Sequence, residues 1–231
     1  SQITETTPFE VAVKKMLPLV TKLKARHGIE FFSIGGGLGI VYKPALESGS
    51  PAWWKSAAAK NILTPQKYAD RLLPLLQPLG LKILMEPGRF ICGNAGVLVT
   101  HVEYVKRTGR KNFVIVDAAM NDLIRPAFYE AYHQILPLKK SARPTMSSDV
   151  VGGVCESGDY FCKDRPLPKF TAGEHLVLMS AGAYGFVMAS TYNTRPLAAE
   201  VLVSGKKFAA VRERQQVQET WAGESVAAWL K

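Results

Sequence analysis

Three consecutive glycines, Gly35-Gly36-Gly37, directly after the apolar run Phe31-Phe32-Ser33-Ile34, constrain this chain more than any other stretch. An apolar run that short reads as a buried strand. Glycines at its end let the backbone turn tightly and present N–H groups with no side chain in the way. That is the outline of a phosphate cradle, and equally of a glycine-rich loop with no ligand. The residues in front of it set the fold class. From Thr7 to about His27, Phe9, Val13, Met16, Leu17, Val20 and Leu23 recur at helical spacing, with Thr7 as N-cap, Pro8 at the first helical position and Gly28 as the stop. Helix, strand and glycine loop in that order predict a parallel α/β arrangement, whose ligands sit at the C-terminal ends of the strands.

A second unit of the same kind follows. Residues 42–63 carry Pro, Gly, Ser, two adjacent tryptophans and an alanine run, and read as an elaborated surface loop or short helix. Thr64-Pro65 opens a helix to about Leu79, with Tyr68, Leu72, Leu75 and Leu76 on its apolar face, Pro74 kinking or shortening it and Gly80 closing it. Leu81 to Met85 is a further buried strand and runs straight into Glu86-Pro87-Gly88-Arg89. Beyond Phe90 the pattern changes: residues 97–106, 112–117 and much of 150–212 are strand-like and broken by turn signals. The division is therefore expected near residue 90, with α/β units in 1–90 and a mostly antiparallel β domain in 91–231. Within the latter, Tyr192-Asn193 is expected on a strand and residues 218–230 as a short terminal helix.

Composition narrows the partners. The 29 Lys and Arg against 19 Asp and Glu give a formal charge of +10, which favours anionic ligands. The basic residues are scattered, with no run interleaved with stacking aromatics, so a small anion is expected rather than nucleic acid. Cys92, Cys155 and Cys162 are too few and too irregular for a disulfide framework or a four-ligand zinc site, and His27, His101, His133 and His175 have no metal spacing and read as structural or surface residues. With no apolar segment long enough for a bilayer and no leader pattern, a cytoplasmic setting without membrane contact is expected. The opening Ser1-Gln2-Ile3-Thr4 has no initiator Met, and reads as the interior of a larger protein.

Four groups of residues carry chemistry. Glu86 and Arg89 follow a strand through a tight Pro-Gly turn that can aim a carboxylate and a fork-shaped anion donor into one cleft, or leave them as a surface ion pair. Arg125 and Tyr129 lie four apart on a helix-like turn after Asp117; they either present two anion-binding groups on one face, or Arg125 pairs with Asp122 while Tyr129 packs inward. In Cys155-Glu156-Ser157-Gly158-Asp159 a thiol beside acids in a turn is placed to donate a proton to a carbanion, whereas most lone cysteines are small buried hydrophobes. Gly182-Ala183-Tyr184-Gly185 is a small-residue loop exposing one phenol, unless Tyr184 is a core aromatic.

In this order the blocks resemble the fold type III, alanine-racemase-like pyridoxal-phosphate decarboxylases, nearest to their diaminopimelate branch. Ser1-Gln2, Thr4, Pro8-Phe9, Gly35 to Gly39, Glu86 to Arg89, Asp117 to Tyr129, Cys155 to Asp159, Gly182 to Tyr184 and Tyr192-Asn193 carry the likeness across nearly the whole chain. The resemblance implies the C-terminal units of a (β/α)8 barrel that binds pyridoxal 5'-phosphate, followed by a β-barrel or sandwich domain that completes the site of a neighbouring subunit in a homodimer. It implies that Ser1, Gly35, Gly36, Gly37, Gly88 and Arg89 hold the cofactor phosphate, that Glu86 faces the pyridine nitrogen, and that Tyr184 touches cofactor and substrate. Arg89, Arg125 and Tyr129 fall to the substrate's distal carboxylate end, Glu156 to substrate recognition from the partner chain, and Cys155 to protonation after carbon dioxide leaves.

A basic amino acid would gain nothing from buried guanidinium groups at its far end, whereas a diacid such as meso-diaminopimelate wants Arg125, so the implied product is L-lysine. No lysine here stands in the family's Tyr-x-x-Lys-x-Asn setting, and the histidine expected just before Ser1 is absent. The expectation is a C-terminal fragment or a nicked product, inactive alone, with the cofactor-anchoring lysine in an N-terminal part that a separate fragment could carry. The loop 44–63 is longer than the family implies, and Ala119 stands where glycine is usual. Two other readings remain: a different decarboxylase of this fold, such as a carboxynorspermidine or D-amino-acid enzyme, and a noncatalytic regulatory homologue.

Overall fold

The computed structural model describes residues 1–140 and 142–230. The chain folds as two compact units, residues 1–96 and 97–231.

In the first unit, helix α1 (Thr7–His27) begins one residue earlier than its sequence suggests: Thr6 is the N-cap, without a side-chain capping bond, and Pro8 occupies the first turn. Gly28 ends it in the left-handed region, its N–H donating to Lys24 O. Strand β1 (Phe31–Ser33) follows. The long loop then coils into short pieces, a 3-10 turn at Glu47–Gly49, helix α2 (Pro51–Trp54) and a second 3-10 turn at Ala57–Ala59. Helix α3 (Pro65–Leu76) starts where Thr64 Oγ1 accepts the Lys67 N–H and runs past Pro74 before tightening into a 3-10 turn at Gln77–Leu79. Strand β2 (Lys82–Leu84) pairs in parallel with β1, Phe32 opposite Ile83. Phe9 and Val13 of α1 pack with Tyr68, Leu72 and Leu76 of α3, spaced by fours along one face. The Phe9 and Tyr68 rings meet edge to face at 4.8 Å. Burying a side chain of that size contributes about 2–3 kcal/mol.

The first unit extends to Gly96, beyond the division expected at residue 90, because helix α4 (Gly88–Cys92) and the turn after it pack back onto the loop that follows the glycines. A Cβ at Gly93 would overlap Ile40 Cδ1, and Asn94 Nδ2 donates to Val41 O.

The second unit is built on one mixed six-stranded sheet. Strand β3 (Leu98–Arg107) and strand β4 (Asn112–Val116) form a hairpin, helix α5 (Arg125–Tyr129) follows, and then come β5 (Ile135–Pro137), β6 (Thr145–Val151), β7 (Tyr160–Pro168) and β8 (His175–Leu178). The sheet order is β5-β8-β3-β4-β6-β7, antiparallel except where β4 meets β6. Val102, Val114, Val116, Val150, Phe161 and Leu176 fill its core from alternate positions of these strands. A separate antiparallel hairpin, β9 (Glu200–Ser204) and β10 (Lys207–Arg212), is exposed at every position but the half-buried Glu200.

Two expectations fail here. Tyr192–Thr194 is a 3-10 turn and not a strand, because Asn193 and Thr194 adopt positive φ, which no strand accommodates. Residues 218–230 form no continuous helix; two 3-10 turns, Val217–Trp221 and Ala228–Leu230, flank Gly223, which disfavours helix in a segment too short to sustain one alone. Among the described residues no helix is long and apolar enough to cross a membrane, and no group of three His, Cys, Asp or Glu residues could hold a metal ion.

Candidate cofactor and substrate site

In the first unit, the C-terminal ends of β1 and β2 bring the glycine loop and the Glu86 turn side by side. The Ile34 N–H donates to Leu84 O at 3.0 Å and the Glu86 N–H to Gly35 O at 2.9 Å, extending the parallel pairing beyond the strands. Ile3 reaches the loop from its other side, its N–H donating to Gly37 O and its carbonyl accepting the Gly39 N–H, both at 2.9 Å. Gly35 and Gly37 have φ of 71° and 95°, a conformation that L side chains resist. Gly36 is needed for a different reason, since a Cβ there would overlap the Glu86 carbonyl oxygen. None of the described hydrogen bonds uses the Gly36 or Gly37 N–H groups.

Side chains complete this rim. Ser33 Oγ donates to Glu86 Oε1 at 2.7 Å and accepts the Gly35 N–H, which fixes the carboxylate beside the loop. Arg89 donates to Tyr42 Oη at 2.6 Å and to Ser1 Oγ at 3.1 Å, joining three segments of chain around one guanidinium. Gly88 has no positive φ, and a Cβ on it would meet nothing within 4 Å. Neither backbone nor packing demands glycine there; what its hydrogen leaves is room. Open space at Gly35 and Gly88, the two N–H groups of Gly36 and Gly37 that no described bond uses, an arginine and a serine fit a phosphate, and a carboxylate fixed beside them fits a protonated ring nitrogen. An apolar cleft of 460 Å³ beneath the 44–63 loop, lined by Ile40, Trp54, Ile62, Leu63 and Phe90, shares none of the Gly35–Gly37, Glu86 or Gly88 rim.

In the second unit, Cys155 and Glu156 are exposed on the loop between β6 and β7. That loop is anchored by Asp159, which is buried and accepts the Met120 N–H on Oδ1 and the Val154 N–H on Oδ2, each at 2.7 Å. Gly152 makes room for the carboxylate; a Cβ on it would stand 2.5 Å from Oδ2. Cys162, by contrast, is in the core, where burial pushes its thiol up. The segment 117–123 is braced from the other side. Asn121 is buried, its Oδ1 accepting from Arg195 Nε at 2.9 Å, while the Arg195 guanidinium also donates to Asp117 O. Asp122 Oδ2 accepts the Ala119 N–H at 2.9 Å, and burial raises its carboxyl above the ordinary value despite that bond.

Arg125 and Tyr129 stand at opposite ends of α5 in different surroundings. Arg125 is 6% exposed and donates from Nη1 to His133 Nε2 at 2.9 Å. Tyr129 is 58% exposed, its ring 4.6 Å from that of Phe128, so it is not a core residue. Tyr184 is also exposed, held at φ 59° in a loop that starts with buried Ser180 at φ 61°. The sequence reading missed Asp159 as an anchor, His133 as the arginine's partner and Arg195 as a brace. Burial marks Asp159 and His133, and the half-buried Arg195 is marked only by its bonds to Asn121 and Asp117.

Residues 20–182 match the family model described as "Pyridoxal-dependent decarboxylase, C-terminal sheet domain". Among curated relatives, a protein named diaminopimelate decarboxylase from Aquifex aeolicus is 46% identical over 216 residues, 93% of this chain and 48% of the relative. One of the same name from Vibrio cholerae is 45% identical over 98% of this chain and 51% of the relative. The chain thus spans about half the length of the curated relatives it matches. Of solved structures, diaminopimelate decarboxylase from Helicobacter pylori complexed with L-lysine superposes with a TM-score of 0.82 at 37% identity, covering 96% of this chain and 52% of that one. A lysine/ornithine decarboxylase from Vibrio vulnificus, at 20% identity and a TM-score of 0.68 over 84% of this chain and 49% of that one, shares the fold. With that family model matched by residues 20–182, well over half of its 231 residues, the chain belongs to the pyridoxal-dependent decarboxylases.

Proposed function

We propose that this chain provides the phosphate cradle and the substrate-binding sheet domain of a decarboxylase that converts meso-diaminopimelate to L-lysine and carbon dioxide in a homodimer with shared sites. The observation that carries this reading is the 46% identity, over 93% of the chain, to a curated diaminopimelate decarboxylase. In it, residues 1–90 are the last units of a (β/α)8 barrel. None of the lysines has the setting implied for the cofactor's covalent anchor, so that lysine comes from another segment or chain.

When bound, pyridoxal phosphate supplies the electron sink that lets the α-carboxylate leave as carbon dioxide. Gly36 and Gly37 bind its phosphate through their N–H groups, Gly35 and Gly88 leave it room, and Ser1 and Arg89 add a hydroxyl and a guanidinium. Glu86, steadied by Ser33, holds a proton on the ring nitrogen. Arg125 and Tyr129 take the carboxylate at the far end of the substrate, with Arg89 contributing to the same end, and Tyr184 orients cofactor and substrate together. Cys155 and Glu156 serve the site of a second copy. There Glu156 meets the substrate, and the Cys155 thiol gives its proton to the α-carbon after carbon dioxide has left, the thiolate then recovering a proton from solvent.

The test is lysine formation from meso-diaminopimelate by protein that includes the anchoring lysine. Arg125→Ala is expected to raise KM about 100-fold, as loss of a charged hydrogen-bonding partner does. Near-unchanged turnover would remove the carboxylate assignment and favour another decarboxylase of this fold. Cys155→Ser is expected to lower kcat by about 10²-fold or more with KM retained, the range for a lost general acid. A protein that binds no pyridoxal phosphate at all would instead be a regulatory homologue.

A further inference from the structure

We propose that His133 is a positioning residue for substrate recognition: its neutral imidazole, protonated on Nδ1, orients the Arg125 guanidinium by accepting a hydrogen bond on Nε2. The proposal rests on the reading that Arg125 receives the substrate's distal carboxylate. His133 is fully buried, and each of its ring nitrogens has a partner that dictates its state. Nδ1 lies 2.8 Å from the Met179 carbonyl oxygen, which can only accept, so Nδ1 carries a proton. Nε2 lies 2.9 Å from Arg125 Nη1, which can only donate, so Nε2 carries a lone pair. Together the two contacts leave a single tautomer, uncharged.

The ring stands on rigid backbone. The Met179 N–H donates to Gln134 O at 2.9 Å, which continues the β5–β8 ladder past Ile135 and Leu178, and Arg165 donates to His133 O. The imidazole therefore fixes the arginine from the sheet, which a helix as short as α5 could not do alone. A neutral acceptor has a second consequence. A carboxylate in its place would orient Arg125 but cancel much of the positive field that an incoming carboxylate meets, whereas imidazole orients the fork and leaves the charge on it. Met179 also leads directly into the Ser180–Tyr184 loop, so the same ring couples the arginine to the segment carrying Tyr184.

L-lysine keeps the distal carboxylate of diaminopimelate and 1,5-diaminopentane lacks it, so equilibrium binding of the two to the holoenzyme isolates this end of the site. His133→Phe, which fills the space without an acceptor, is expected to weaken L-lysine about tenfold and leave diaminopentane unchanged. His133→Gln, able to accept on Oε1 and donate from Nε2, is expected to recover most of the loss. Equal weakening of both ligands by His133→Phe marks a merely structural residue and overturns the proposal, as does no weakening of either. If Arg125→Ala leaves L-lysine binding unchanged, the reading of Arg125 fails; if it weakens binding while His133→Phe does not, only the role of His133 fails. Should His133→Phe not fold, the nitrogen chemical shifts of the wild-type ring decide: a pyrrole-like Nδ1 with a pyridine-like Nε2 is expected, and a cationic ring or the other tautomer overturns the proposal.

Discussion

Asp159 accepts the backbone N–H of Met120 at 2.7 Å, across 39 residues of chain, and so ties the loop of Cys155 and Glu156 to the segment that leads to Arg125. Its other oxygen holds Val154 inside the same loop. Both bonds are made by one buried carboxylate to backbone donors that have no second acceptor among the described residues. Asp159→Asn keeps the shape but turns an amide N–H₂ toward an N–H, and is expected to destabilise the protein by about 1.5–3 kcal/mol, the range for bonds to a charged group. Urea unfolding measures this. Freed from its anchor, Cys155 should react faster with an alkylating reagent in a Cys92→Ser background, where Cys162 is the only other thiol and is buried. Unchanged stability and reactivity would show that the loop holds its position without Asp159.

The glycines of the proposed phosphate rim separate packing from ligand room. A methyl group at position 36 would overlap the Glu86 carbonyl and force the ends of β1 and β2 apart, so Gly36→Ala is expected to cost about 1–3 kcal/mol of stability as well as cofactor affinity. At Gly88 a Cβ meets no protein atom within 4 Å beyond its own turn of chain. Gly88→Val is therefore expected to leave unfolding free energy within about 0.5 kcal/mol of the parent, as ordinary surface changes do, while pyridoxal phosphate binding weakens. Titration of the holoenzyme's visible absorbance against phosphate-bearing cofactor reads the second effect. If Gly88→Val bound the cofactor as well as the parent, the space at Gly88 would not be where the phosphate sits.

What could be read from the sequence was local. The Gly28 and Gly80 stops, the fourfold spacing of Tyr68, Leu72 and Leu76, and the strands flanking residues 108–111 all depend on neighbours a few residues apart, and the chain folds accordingly. Pairings between side chains distant in sequence leave no such trace. Asn121 meets Arg195 across 74 residues, His133 meets Met179 across 46, and no periodicity encodes either. His133 shows the cost most clearly. With no metal spacing it reads as an unremarkable histidine, and only burial between an obligate donor and an obligate acceptor gives it chemistry. The tail reads as a short helix, but Gly223 and short length leave only two 3-10 turns, Val217–Trp221 and Ala228–Leu230.

Asp117, at the end of β4, ties stability to acid. Burial pushes its carboxyl up, but the Thr100 hydroxyl and the His101 and Ala118 N–H groups together outweigh burial and hold it below the ordinary 3.8. A carboxylate with a depressed folded-state pKa contributes stability that is complete above its unfolded value and is lost as pH falls through the folded one. Asp122 acts in the opposite sense, since burial raises it above 3.8; folding favours its protonated form, and its penalty is relieved as pH falls toward that range. The contribution of Asp122 should therefore rise as pH falls through its raised folded-state value, and that of Asp117 should be lost below about pH 3.8, where Asp117 takes up its proton. Asp117→Asn is expected to be less stable at pH 7 and to lose less on acidification, so that the two unfolding curves converge at low pH. Asp122→Asn should show the reverse difference, with its gain over the wild type largest at neutral pH. Parallel pH profiles for wild type and Asp117→Asn would mean that the Thr100 and His101 bonds do not discriminate between the two protonation states of Asp117.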